Sequence, residues 1–283
     1  MATSTAVIQS DREAKRSRAG GARDSGPDFG ILAGLAIAAM ALAAGVAVTG
    51  VGLGYFLQPA SLLIVVGGTA GVVMITTPHP ALLLALRQTL HLLSTPDRPD
   101  KNELIEEIVS HARNVRMQGI LAIEPAIGRI GHAFLRDALT LALDARQRGE
   151  LQSTLETKIR LCERQSEAAA RVLEVAGGLT PTLGVLGTVV GLIDVLRQFS
   201  SLSAVASGVG AAFASTFYGL ALANVLLLPA AHRIRARSME TFDLQEMLAD
   251  GVLCLFDGMH PKLIRERLHS FLNGAGVPEI QQP

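Results

Sequence analysis

The amino-acid sequence predicts an all-α membrane protein, with four transmembrane helices and a helical cytoplasmic domain inserted between spans two and three. Two charge-free stretches support this fold class, because residues 29–86 and 198–232 contain no Asp, Glu, Lys or Arg. Charged residues make up 18% of the chain, against about 25% in a typical soluble domain. Apolar runs of about 20 residues can cross a bilayer as helices, whereas the residues between the two stretches show the apolar spacing of packed helices.

The N-terminal part predicts a polar tail followed by two membrane helices. Residues 1–27 are rich in Gly, Ser, Arg and Asp, so we expect a disordered cytoplasmic segment. Transmembrane helices 1 and 2 are assigned to residues 28–80, which are rich in Ala, Gly and aliphatic residues. Pro59 suits the first turn of the second helix, and the TPHP sequence at 77–80 suits its end.

Residues 81–170 predict a folded helical domain on the cytoplasmic side of the membrane. Acidic and basic residues are balanced there, and residues 147–175 predict one long helix that continues into the third span. Apolar residues recur at helical spacing in the first part of this domain. They are Leu104, Ile105, Ile108, Val109 and Ala112.

Residues 171–232 predict transmembrane helices 3 and 4, in which small residues dominate. Gly184, Gly187 and Gly191 are three and four residues apart and therefore share one helix face. Small faces of this kind allow two membrane helices to approach closely. A packed interface or a polar pathway is therefore expected here, rather than a simple lipid-facing anchor.

Polar groups inside the predicted spans are few. The hydroxyls of Thr188 and Thr216 either bond to their own helix carbonyls or line a lumen that holds a dehydrated cation through oxygen atoms. Glu174 and Asp194 lie near the two ends of span three, and no carboxylate lies in mid-span. Because a cation pathway needs a group that binds the ion, this chain by itself predicts a poor channel, and a partner chain is expected to supply the carboxylate.

Two prolines, Pro181 and Pro229, are expected at the cytoplasmic ends of spans three and four. Each admits two interpretations. It either begins or kinks a helix, or it serves as a hinge, because proline removes one backbone hydrogen bond and bends the helix.

The distribution of arginine predicts the orientation in the membrane. The basic N-terminus, Arg87, Arg233, Arg235 and Arg237 all flank the same side of the four spans, and basic flanks stay in the cytoplasm. Both termini are therefore expected in the cytoplasm, with residues 233–283 as a cytoplasmic helical tail. The chain is therefore expected to be a multi-pass membrane protein in contact with lipid.

No enzyme motif is present in the sequence, and we expect no catalytic residues, no metal and no bound cofactor. The phosphate-binding, zinc-protease, CxxC and serine-hydrolase patterns are all missing. Cys162 and Cys254 are two lone thiols, which form neither a disulfide framework nor a ligand set. The net charge is zero, so the composition gives no argument for a nucleic-acid partner.

Three separated motifs resemble the MotA/TolQ/ExbB family. They are PASLLIVVGGTAGVVMITTP, TPTLGVLGTVVGLI and the GxxxAxxSTFYGLxLAN pattern. The four-span layout resembles flagellar motor stator subunits of the MotA/PomA type, since TolQ and ExbB have three spans. The resemblance implies a homopentameric ring around a MotB/PomB-like one-span partner that carries the membrane Asp and a peptidoglycan-binding domain. Transport of Na⁺ or H⁺ would then drive torque on a FliG-like rotor protein.

The resemblance also implies roles for individual residues. Pro181 and Pro229 match the two prolines tied to coupling. Thr188 and Thr216 match hydroxyl positions of sodium-type stators, and Tyr218 is assigned with them to the ion pathway.

The cytoplasmic segment RMQGILAIE resembles the family pattern RKxGxLALE. Arg116 and Glu124 then match the charged pair that contacts the rotor, whereas Met117 departs from the pattern, which has Lys at that position. Without the resemblance, Arg116 and Glu124 would be interpreted as part of a solvated helix face.

Two alternative functions stay open from the sequence. One is a TolQ/ExbB-like energiser of a non-flagellar envelope machine. The other is a non-conducting membrane scaffold, in which the small residues serve only for packing. The choice between sodium and proton also stays open, although the hydroxyls favour sodium.

Overall fold

The computed structural model describes residues 29–48, 50, 58–92, 99–197 and 202–272. Across these ranges the chain forms helices and turns and contains no strand, which confirms the all-helical prediction. The proposed N-terminal tail at 1–27 lies outside the described residues. The helices are α1 (Phe29–Val48), α2 (Pro59–Thr76), α3 (His79–Leu92), α4 (Lys101–Gln118), α5 (Glu124–Ile127), α6 (Ala133–Asp144), α7 (Arg148–Arg197), α8 (residues 202–256) and α9 (Pro261–Leu272).

Three of these helices are long and apolar enough to cross a membrane. They are α2, α7 and the part of α8 described as Gly208–Phe256. Helix α1 has no charged residue, and its fully described part, Ala33–Val48, is a shorter apolar helix. The outward side chains of α1 and α2 include large hydrophobics such as Ile37 and Ile75. These side chains need an apolar medium or another apolar surface around them.

Helices α7 and α8 pass through their prolines without ending. Pro181 lies inside the 50-residue helix α7, and Pro229 follows a π-helical turn, Leu222–Leu227, within α8. A proline lacks the N–H that the carbonyl four residues earlier would accept, and a π turn is one way in which a helix adapts to such a defect. The interpretation as a helix start is therefore wrong for Pro181, whereas Pro229 lies in the first turn of the α-helical segment that follows the π turn. Each proline interrupts the hydrogen-bond ladder of a continuous helix.

A hydrophobic core holds the charged part of the chain together. It is formed by α4, α6, α9, the first third of α7 and the last third of α8, which we call the helical domain. The predicted core residues, from Leu104 to Ala112, are all buried there, which confirms the helical spacing inferred from the sequence. Asp100 caps α4 by accepting a 2.9 Å hydrogen bond from the Asn102 backbone N–H. Gly119, with φ of +83°, allows the turn that ends α4.

An arginine cluster fastens α7 to α8 between the apolar helices and the helical domain. Arg235 of α8 contacts Glu167 at 2.7 Å and Glu174 at 2.6 Å on α7. Arg237 donates to the last carbonyls of α3, His91 O and Leu92 O. Glu174, one of the two carboxylates singled out in the sequence, is thus engaged in an ion pair between α7 and α8.

Candidate ion-pathway and coupling sites

Helices α7 and α8 pack against each other in antiparallel fashion through their small residues. A Cβ added at Gly184 would lie 3.0 Å from Ser215 O and 3.2 Å from Gly219 Cα. A Cβ at Gly191 would lie 3.0 Å from Ala212 Cα. The backbones therefore approach too closely for larger residues, which confirms the small-residue interface predicted from the sequence.

This close approach brings Thr188 of α7 and Thr216 of α8 together. Their hydroxyl oxygens are in direct hydrogen-bond contact. Thr188 Oγ1 is also 2.9 Å from Ala212 O on α8 and 3.1 Å from Gly184 O on its own helix. Both threonines are only half-buried. The first interpretation is confirmed for Thr188, whose hydroxyl reaches its own helix carbonyl. The same hydroxyl also belongs to a cluster of oxygen atoms from two helices, and the place of that cluster in a cation pathway stays a prediction.

Tyr218 does not join this oxygen cluster. It is two residues from Thr216, which places it roughly 200° around the helix. Its hydroxyl accepts a 3.3 Å hydrogen bond from the Gln58 backbone N–H at the start of α2. In this structure Tyr218 ties α8 to α2, so its assigned place in the ion pathway stays a prediction.

Sequence reasoning missed a second set of buried hydroxyls, on α2 and α7. Ser61 of α2 donates to Ala211 O of α8 at 3.0 Å. Thr69 of α2 contacts Thr180 of α7, with 3.3 Å between the hydroxyl oxygens. The signal available in the sequence was a hydroxyl residue inside a charge-free span, since such groups need a partner when they are buried.

The two prolines assigned to coupling from the sequence occupy different surroundings. Pro181 is half-buried, and its Cα lies 3.3 Å from the position that a Cβ on Gly219 would take. Pro229 is exposed, but its neighbour Leu228 packs closely on Gly177, where an added Cβ would be 2.7 Å from Leu228 Cδ2. Both irregular turns therefore border the tight α7–α8 interface.

Arg116 and Glu124 lie at one corner of the helical domain, at the end of α4 and the start of α5. Both are exposed, and within the described part of the chain neither forms a hydrogen bond or an ion pair. Two exposed apolar side chains accompany them, Met117 at 85% and Leu121 at 67%. At this corner, charged side chains and apolar side chains are therefore exposed together, and the described part of the chain does not cover them.

The arginine cluster is the main electrostatic feature near the apolar helices. The Arg235 guanidinium, which hydrogen-bonds to the Glu167 carboxylate, holds the pKa of that carboxyl below its ordinary value. Glu167 therefore stays ionised near neutral pH and keeps its contact with α8. No group of three or more His, Cys, Asp or Glu side chains that could hold a metal ion occurs among the residues described.

Comparison with known proteins identifies the class. Residues 126–247 match the family model described as the MotA/TolQ/ExbB proton channel family. Motility protein A of Bacillus subtilis is 30% identical over 245 residues, covering 85% of this chain and 89% of that protein. Chemotaxis protein PomA of Vibrio alginolyticus is 28% identical over 256 residues, covering 90% and 98%. The flagellar MotAB stator complex from Bacillus subtilis contains a similar chain, with a TM-score of 0.79, 30% identity and coverage of 85% and 94%.

The chain therefore belongs to the MotA/TolQ/ExbB family of membrane proteins. Its function is that of a flagellar motor stator subunit of the motility protein A and PomA type. These relatives favour the stator interpretation over the TolQ/ExbB-like alternative. The family consists of stator and channel subunits and is not a class of enzymes.

Proposed function

We propose that this stator subunit conducts a cation together with a MotB/PomB-like one-span partner, whose membrane Asp binds the ion. The solved relative is a MotAB stator complex, which supports such a partner. The composition supports it as well, because residues 29–86, 175–193 and 198–232 contain no carboxylate. Several copies of the chain, five as in the family, would surround the partner, and a FliG-like rotor protein would receive the torque.

The topology that we propose has four spans within residues 28–80 and 171–232 of a bacterial inner-membrane protein. Residues 81–170 and 233–283 would be cytoplasmic, as would the N-terminal tail at 1–27. Two observations support this arrangement. The core of the helical domain joins both proposed cytoplasmic parts, and Arg233, Arg235 and Arg237 lie at that end of α8.

Under this topology, Cys162 is expected to react with a membrane-impermeant maleimide in inverted membrane vesicles but not in intact spheroplasts. Its side chain is partly exposed, whereas Cys254 is buried. Burial, together with the nearby Asp250 carboxylate, raises the pKa of the Cys254 thiol to about 11, so it stays protonated and unreactive near neutral pH. A Cys162→Ser variant gives the background. Labelling of Cys162 in intact spheroplasts would contradict the proposed orientation.

The contact between Thr188 and Thr216 is the observation that supports an ion pathway. It collects two hydroxyl and two carbonyl oxygens at one level of the α7–α8 interface, without a formal charge. Neutral oxygen atoms suit a hard cation, and the carboxylate of the partner would supply the negative charge. We infer Na⁺ rather than H⁺, because a sodium ion needs further oxygen ligands beside the carboxylate of the partner, whereas a proton gains little from a cluster of neutral oxygens.

Replacing both threonines by alanine is therefore expected to weaken the binding of sodium in the pathway. The sodium concentration that gives half-maximal swimming speed should rise on the order of tenfold, which corresponds to about 1.4 kcal/mol. Swimming speed is measured against sodium at constant ionic strength and pH, with co-isolation of the one-span partner as a check on assembly.

Thr182→Ala is the matched control for this experiment. Its hydroxyl is exposed on the same helix and bonds only to Leu179 O. If the double variant keeps the sodium dependence of the parent, the two threonines are not part of the ion pathway. If the swimming speed of the parent depends on pH and not on sodium, the transported ion is a proton.

The remaining roles concern coupling. Pro181 and Pro229 are proposed as hinges, because each leaves one helix carbonyl without its usual donor and borders the α7–α8 interface. Arg116 and Glu124 are proposed as the rotor contact, because they are exposed charges that have no partner in the described part of the helical domain.

A further inference from the structure

A buried pair of hydroxyls joins α2 to α7 beside the first proline. Thr69 and Thr180 are 7% and 0% exposed, and their oxygens are 3.3 Å apart. Each hydroxyl also lies 2.6 Å from the carbonyl four residues earlier in its own helix, Val65 O for Thr69 and Ala176 O for Thr180. Since a hydroxyl has one proton to donate, the Thr69 proton can serve either Val65 O or Thr180 Oγ1 without a change in the backbone.

The pair connects two turns in which the backbone ladder is irregular. Thr180 directly precedes Pro181, and the missing N–H of Pro181 leaves Gly177 O without its donor. At the other end, Val65 lies in the π-helical turn Leu63–Gly67 of α2. Side-chain hydrogen bonds therefore stabilise each of these turns where the backbone ladder is irregular. The Thr69–Thr180 contact links the two turns.

The same turn of α7 also contacts α8. A Cβ on Gly219 would meet Thr180 O at 2.9 Å, and a Cβ on Gly177 would meet Leu228 at 2.7 Å. A movement at Pro181 must therefore change the contacts of α7 with both neighbours. Its contact with α8 is steric, whereas the Thr69–Thr180 contact is a directional hydrogen bond.

We propose that Thr69 and Thr180 are positioning residues that hold the Pro181 turn against α2 and set the angle from which α7 bends during the stator step. The proposal rests on the proposed role of Pro181 as a hinge. The exchangeable proton of Thr69 lets the interhelical bond break and reform while both oxygens keep a partner. The pair therefore keeps the step fast and leaves ion binding unchanged.

The test uses the full chain with its partner in motile cells. Thr180→Val keeps the shape of the side chain and removes the hydroxyl, and Thr180→Ser keeps the hydroxyl. Thr180→Val is expected to lower the maximal rotation speed at least threefold while the sodium or proton concentration for half-maximal speed is unchanged, and Thr180→Ser should restore most of the speed. Rotation is measured on tethered cells against ion concentration, with the membrane level of the chain followed by immunoblot.

Thr182→Val is the matched control, because the Thr182 hydroxyl is exposed and reaches only its own helix. Thr69→Val should give the same loss from the other helix, and the double variant should be no slower than either single one. If Thr180→Val fails to accumulate, Thr69→Val tests the same contact. Additive losses, or a Thr180→Val variant as fast as Thr182→Val, would overturn the proposal.

Pro181→Ala separates this proposal from the one on which it rests. Full rotation in Pro181→Ala would show that the hinge itself is wrong. Loss of rotation in Pro181→Ala with normal rotation in Thr180→Val and Thr69→Val would leave the hinge in place and refute only the hydroxyl pair.

Discussion

Gly187→Ala is expected to abolish swimming and to reduce the amount of assembled stator complex in the membrane. A Cβ at this position would overlap the Ser215 hydroxyl and lie 3.0 Å from Ser215 Cβ, with Ile64 of α2 at 3.5 Å. Three helices meet there, and rotation of the Ser215 hydroxyl would still leave the Ser215 Cβ at 3.0 Å. Overpacking of this kind costs about 1–3 kcal/mol, and separation of α7 from α8 would also break the Thr188–Thr216 contact. Complex recovered in mild detergent and swimming speed are the two measurements.

The chain provides both a control and a rescue for this experiment. Gly178→Ala lies on the same helix, is exposed and has no atom near the added methyl group, so it should behave like the parent. Ser215→Gly removes both atoms that crowd Gly187 and should restore assembly in the double variant. The Ser215 hydroxyl is buried and has no hydrogen-bond partner among the described residues, so its removal should cost little stability. If Gly187→Ala swims normally and forms the normal amount of complex, α7 and α8 pack less closely than these distances indicate.

Charge reversal at Arg116 or Glu124 is expected to reduce rotation by tenfold or more without loss of protein. Both side chains are exposed at the corner between α4 and α5, so their replacement should change the stability of the helical domain by less than about 0.5 kcal/mol. The loss would come from the contact with the rotor, where like charges repel and reduce association. Arg116→Glu and Glu124→Lys are measured by tethered-cell rotation, with complex recovered in detergent as the check on folding.

Arg160→Glu is the control for a charge reversal elsewhere on the helical domain. Arg160 is exposed on α7 and bonds only to Thr157 of its own helix, so this variant should rotate normally. Complementary charge reversals on the rotor protein should restore rotation to the Arg116 and Glu124 variants. If both variants rotate normally, Arg116 and Glu124 do not contact the rotor. They would then be part of a solvated helix face, which is the interpretation from the sequence without the resemblance.

The sequence predicted the elements of the fold more reliably than the contacts between them. The buried positions Leu104 to Ala112 followed from spacing, and the glycine face of α7 followed from the separation of Gly184, Gly187 and Gly191. The position of Pro181 and Pro229 at the cytoplasmic ends of two spans stays a prediction. The interpretation that Pro181 begins a helix was wrong, because α7 continues through the missing hydrogen bond, whereas Pro229 lies in the first turn after the π turn of α8.

The sequence by itself determined the helical class, the apolar stretches, the small-residue face and the absence of a mid-span carboxylate. All of these depend on hydropathy and helical periodicity, which are properties of neighbouring residues. Only the tertiary structure decided that Thr188 meets Thr216, that Thr69 meets Thr180, that Arg235 holds Glu174 and that Tyr218 contacts Gln58. These partners are 28, 111, 61 and 160 residues apart. Their contacts depend on the rotation and register of whole helices, which no local pattern specifies.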